Sequence, residues 1–148
     1  MHNVYSIIFW MVFIFTPSDV AIAQADVERV LISGNPGAYR FAVTVKSPDT
    51  GCVQYADWWE VVSEEGELLY RRILSHSHID EQPFTRSGGP VKITSEQTVW
   101  VRAHMNNTGY GGVAMKGSPA DGFEVAAMPD DFALDLEKIP PQPVGCRF

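Results

Sequence analysis

Apolar and polar side chains alternate one by one along most of the chain. In AYRFAVTVK, Tyr39, Phe41, Val43 and Val45 share one parity and Arg40, Ala42, Thr44 and Lys46 share the other. A strand turns successive side chains to opposite faces, so this alternation predicts a strand with one buried face. TVWVRAHM repeats the pattern, setting Val99, Val101, Ala103 and Met105 against Thr98, Trp100, Arg102 and His104. YADWWEVV alternates Tyr55, Asp57, Trp59 and Val61 with Ala56, Trp58, Glu60 and Val62, and so sends its two adjacent tryptophans to opposite faces. VERVLIS, ELLYRRILSHS, VKIT and GFEVAAM complete the strand predictions, separated by GNPG, SPDTG, SEEGE, RSGGP and the glycine-rich NNTGYGG. SEEGE reads as the loop of a β-hairpin. The best helical segment is PDDFALDLEKI, where Pro129, Asp130 and Asp131 suit a start and Lys138 an end.

Seven or so short strands divided by turn signals predict an all-β chain folded as an antiparallel β-sandwich, with an up-and-down barrel as the alternative. A Trp on the third strand, packed between two sheets, resembles the arrangement of immunoglobulin-like and fibronectin-like sandwiches. That resemblance is one of architecture and implies no activity.

The first 23 residues differ from the rest. Ile7 to Phe15 is an unbroken apolar run, about half the length needed to span a bilayer, and Ala21 and Ala23 fit the small-x-small pattern of a signal-peptide cleavage site. The sequence therefore predicts a signal peptide over 1–23, a single β-sandwich domain over 24–148, no permanent membrane span, and a secreted or periplasmic location. Removing the leader leaves 125 of the 148 residues, one ordinary domain. The full chain has 11 Lys and Arg against 18 Asp and Glu, a net charge of −7, which disfavours nucleic acid as a partner. Cys52 and Cys146 are the two cysteines, the number that makes one disulfide in an exported chain, with two free buried thiols as the alternative, and their bond would pin the Pro-rich tail IPPQPVGCRF near the start of the third strand.

Candidate chemistry gathers in three places. In SHSHIDE, His76 and His78 on an extended strand share a face roughly 6.5–7 Å apart, and two imidazoles at that spacing can share a copper or zinc ion. Asp80 continues the parity, and His104 could join if its strand is a neighbour; solvent-exposed histidines at a strand end are the alternative. The written motif is similar to the H-x-H-x-D-H of metallo-β-lactamases, but that fold needs a longer chain and further histidines, which this sequence lacks. Second, Arg71 and Arg72 point to opposite faces, so one of them could be inward and paired with Asp57 or Glu60, or both could sit in solvated ion pairs. Third, Trp58, Trp100 and Tyr110 with the NNTGYGG loop could form an exposed platform for a protein or polysaccharide, or be packed beneath the tail. No G-x-S-x-G occurs, and Ser75 and Ser77 neighbour histidines in a geometry poor for a triad. The expectation is a non-catalytic binding or accessory module, with a periplasmic copper or zinc binder using His76, His78 and His104 as the alternative.

Overall fold

The computed structural model of the chain describes residues 21–147. The strands are β1 (Asp26–Asn35), β2 (Ala38–Lys46), β3 (Ala56–Ser63), β4 (Leu68–Ile73), β5 (Phe84–Val91), β6 (Val99–Met105), β7 (Ala114–Ser118) and β8 (Gly122–Ala126). They form two antiparallel sheets, ordered β1-β2-β5 and β4-β3-β6-β7-β8. This is a β-sandwich, and the division of strands follows the Greek key of immunoglobulin-like domains, lengthened at one edge by β8. The apolar run of the expected leader lies outside the described residues. Among the described residues no helix is long and apolar enough to cross a membrane.

Alternation places the core where the sequence predicts it. Phe41, Val43, Val45, Trp59, Val61, Val99, Val101, Ala103 and Met105 all belong to one buried cluster between the sheets, joined by Phe84 and Val91. Both edges of the sandwich are stitched. Val27 N–H donates to Val113 O at 2.8 Å, tying β1 to the segment entering β7. Arg72 Nε donates to Ser87 O at 3.0 Å, tying β4 to β5.

Four elements depart from the sequence prediction. The RSGGP turn is instead the body of β5, while VKIT contributes only Val91 to a strand. The ladder tolerates Gly-Gly-Pro through a register shift opposite Tyr39 and Phe41, where Gly89 takes a φ of +146° and a side chain would run into Tyr39 O. β7, in AMKGS, carries no alternation that distinguishes it from a loop. β4 stops at Ile73, so His76 and His78 stand on the connection to β5 and not on a strand. The helical segment is reduced to a 3-10 turn, η1, at Leu134–Lys138.

The β7–β8 hairpin depends on a close approach. A Cβ added to Gly117 would lie 1.9 Å from Gly122 O. Gly117→Ala is therefore expected to destabilise the protein by about 1–3 kcal/mol, a loss that urea unfolding of variant and parent measures directly.

Candidate functional site

The outer face of the five-stranded sheet carries the parity that the core leaves over: Trp58, Glu60 and Val62 from β3, Arg71 from β4, and Trp100, Arg102 and His104 from β6. Antiparallel pairing sets Glu60 opposite both Arg71 and Arg102. The carboxylate, fully buried, accepts from Arg71 Nε and Arg102 Nε, each at 2.8 Å. Arg71 Nη2 also lies 2.7 Å from Glu60 Oε2, and the terminal guanidinium nitrogens of both arginines reach backbone carbonyls that cover the face. Arg71 donates to the carbonyls of Leu136, Ile139 and Pro141, and Arg102 to those of Phe132 and Ala133, at 2.6–3.0 Å. These carbonyls belong to a strap, residues 128–147, that crosses the face and ends at the Cys52–Cys146 disulfide. The alternative of solvated arginine pairs is thus overturned for Arg71, which is buried, while Arg72 is half-buried at the sandwich edge.

Aromatic rings complete the layer. Arg71 lies 4.3 Å over Trp58 and Arg102 3.6 Å over Tyr110, stacking that favours a desolvated guanidinium. His104 stacks on Trp58 at 3.6 Å between ring centres. A β-bulge between Ala56 and Trp58 turns Asp57, whose parity is that of the core, toward His104. His104 Nδ1 lies 2.6 Å from Asp57 Oδ1, and Nε2 lies 3.1 Å from Glu137 Oε1 on the strap. Burial pushes the Asp57 carboxyl up, opposed by the hydrogen bond and charge of His104. Burial and the nearby Glu60 carboxylate push the Tyr110 phenol up as well.

This layer corrects the expectation of an open aromatic platform. Trp58 is 2% and Trp100 6% exposed, and Trp100 joins Val62, Ala114 and Leu136 in a second apolar cluster beneath the strap. The packing alternative holds for both tryptophans. Tyr110 alone of the three remains partly exposed, at the mouth of a cleft of about 600 Å³. The cleft runs between the glycine loop and the β8–strap junction. Its apolar wall is Val113, Val125, Met128, Phe132 and Leu134, and Asp26 and Asp130 bring carboxylates to it. Asp26 Oδ1 accepts from Val113 N–H at 2.8 Å, which fixes the loop that forms one wall.

The three histidines do not converge. His76 and His78 come together, with ring centres 4.4 Å apart, beside Asp80 and Glu81 in a surface cavity. His104 is held instead by Asp57, Glu137, Trp58 and Tyr110, none of which touches His76 or His78. Among the described residues no group of three or more His, Cys, Asp and Glu side chains is arranged to hold a metal ion. His78 is 4% exposed and stacks on Phe84 at 3.8 Å, and neither ring nitrogen has a hydrogen-bond partner among the described residues. Its backbone N–H donates to Asp49 Oδ2 at 2.8 Å. Burial, with the charges of Arg86 and His76, lowers its pKa from 6.5 to about 4. Asn106, at the start of the glycine-rich loop, spends its amide on Cys52 O and Val53 O and its carbonyl on Tyr55 N–H.

Comparison with known proteins adds one relative. A protein of Halomicrobium mukohataei bearing the name "Putative lipoprotein" is 39% identical over 99 residues, which are 66% of this chain and 49% of that protein. The chain thus spans about half the length of the relative it matches. No family model and no solved structure matches it.

Sequence patterning offers packing beneath the tail as one of two alternatives, but it does not bring Arg102 to the same carboxylate as Arg71. The available signal is the shared parity of Trp58, Glu60, Trp100, Arg102 and His104, for it puts charges on a face that is otherwise aromatic. The cleft residues Val113, Val125, Met128 and Leu134 leave no such signal, because they lie in segments without clear alternation.

The buried charges and the buried imidazole each set a measurable stability. Glu60→Gln keeps the shape of the side chain but strands two buried guanidinium groups, and is expected to cost about 3–5 kcal/mol in urea unfolding. Because the folded protein holds His78 neutral down to about pH 4 while the unfolded chain protonates near 6.5, its contribution is complete above pH 6.5 and is lost as pH falls toward 4. His78→Phe should therefore flatten the decline of unfolding free energy between pH 6.5 and 4, by up to ~1.4 kcal/mol per pH unit.

Proposed function

We propose that this chain is a non-catalytic binding or accessory module of an extracytoplasmic protein, and that it takes a protein or polysaccharide ligand in the cleft beside Tyr110. The observation that carries the reading is the cleft itself. About 600 Å³ of open space is walled by apolar side chains and rimmed by carboxylates, the mixture of apolar lining and few polar groups that ligand sites favour. Val113 and Leu134 stay 43% and 47% exposed there, although the fold covers its large aromatic side chains elsewhere.

The arrangement of His104 favours binding over catalysis. A histidine–aspartate pair can activate a nucleophile when one ring nitrogen is free to take a proton. Here Glu137 engages the second nitrogen and Trp58 covers the ring, so the pair spends its hydrogen bonds on holding the strap. The extracytoplasmic assignment draws on the Cys52–Cys146 disulfide, on the lipoprotein name of the relative, and on the apolar N-terminal run.

A panel of oligosaccharides and decapeptides titrated into isotopically labelled protein tests the reading. Binding should shift the resonances of Tyr110, Gly111, Val113 and Leu134 together. Val113→Glu and Leu134→Glu should weaken it about tenfold without lowering Tm, since both side chains are already solvated. A ligand whose affinity ignores both variants, or whose shifts map elsewhere, would remove the cleft from the function.

A further inference from the structure

We propose that β8 is a docking edge, and that its partner is an extended polypeptide segment of another protein carrying lysine or arginine opposite Glu124, flanked by apolar residues. The inference rests on the binding-module reading and names its partner class.

β8 is the outermost strand of the five-stranded sheet and pairs with β7 alone. Among the described residues, no backbone or side-chain group makes a hydrogen bond to the backbone of β8 from its outer side. Its ladder runs from Ser118↔Gly122 to Ala114↔Ala126 without a register shift, and the strand contains no proline. β4, at the opposite edge, is tied across to β5 through Arg72 and Ser87. An unbulged, unpaired edge presents a row of N–H and C=O groups to any strand of suitable pattern, which is why proteins commonly blunt such edges.

The side chains on β8 say which strand fits. Phe123 turns inward and meets Phe41 edge to face, so Val125 has the parity of the core; yet Val125 is 65% exposed, because it overhangs the sandwich beside the cleft. Glu124 lies on the other face, exposed and without an ion pair among the described residues. Lys116, its cross-strand neighbour, is held by Glu64 at 2.7 Å. Glu124 is also the middle residue of the five in β8. A second copy docked antiparallel about that centre would set Glu124 against Glu124, and like charges directly opposite each other are destabilising. The same position favours a cation on a foreign strand. Asp130, exposed in the cleft that Val125 also lines, is a second carboxylate near this edge. Strand addition of this kind draws affinity from main-chain hydrogen bonds and specificity from alternate side chains, here a basic residue over Glu124 and apolar residues over Val125.

A displayed library of random decapeptides, panned on the intact disulfide-bonded protein, tests the proposal. Enriched sequences should alternate Lys or Arg with apolar residues. A synthetic peptide of that pattern should slow amide exchange in Phe123–Ala126. Glu124→Lys should weaken it about tenfold or more and shift the enriched set toward acidic sequences. Enrichment of acidic peptides by the parent, no enrichment at all, or binding indifferent to Glu124→Lys would overturn the proposal. So would a dimer in sedimentation that Val125→Glu abolishes, since a second copy would then hold the edge. Shifts at Tyr110 and Leu134 with an oligosaccharide, in the absence of any peptide at β8, would sink this inference and leave the cleft reading standing.

Discussion

Glu60 is where two demands of the fold meet. Its position on β3 faces away from the core between the sheets, and the neighbouring strands place Arg71 and Arg102 on either side of it. A single carboxylate cannot neutralise two guanidinium groups, and burying a charge without compensation is costly. The excess is met by dipoles: five strap carbonyls accept from the terminal nitrogens of the two arginines. Trp58 and Tyr110 supply ring faces for the same cations. The strap is therefore part of the electrostatic solution. Without those carbonyls the layer would need water, and without the layer the strap, a loop with one 3-10 turn, would have little to hold its backbone in place.

This dependence explains what happened to the aromatic surface. Trp58, Trp100 and His104 lie together as the parity of their strands requires, but they serve as the floor on which the strap packs. The disulfide at Cys146 fixes the far end of the strap against the loop preceding β3, and Glu137 clips its middle to His104. What the strap leaves open is its own margin. The cleft begins where it departs from β8, and Tyr110 lies at that boundary, packed against Arg102 on one side and reaching the cleft on the other.

Much of this architecture is legible in the residues. Strict alternation locates β2 to its end residues, β6 to within one residue, and the inward face of both, because a half-buried strand leaves a period of two that no other element produces. Where burial is not one-sided, the signal fades. β7 is short, and the glycines of β5 read as a turn until a bulge and a tyrosine contact are known. The spacing of His76 and His78 suggests a common strand face that does not exist, since β4 ends at Ile73 and local sequence does not mark that end. Pairing of Arg71 with Glu60 is foreseeable as one of two alternatives. The arrival of Arg102 at the same carboxylate is not, for it depends on β3 lying between β4 and β6.

The sequence by itself determined the all-β class and the core face of its clearest strands, because a half-buried strand leaves a period of two, and it favoured a two-sheet sandwich over a barrel and one disulfide over two free thiols. Tertiary structure decided between the two readings of the outer face, in favour of packing beneath the C-terminal tail, and it alone separated His104 from His76 and His78, brought Arg102 to Glu60, and left β8 and the cleft open. Those outcomes depend on strand order and on which backbone carbonyls come within reach of two arginines. Both are relations between residues up to 70 positions apart, and a pattern of near neighbours carries no record of them.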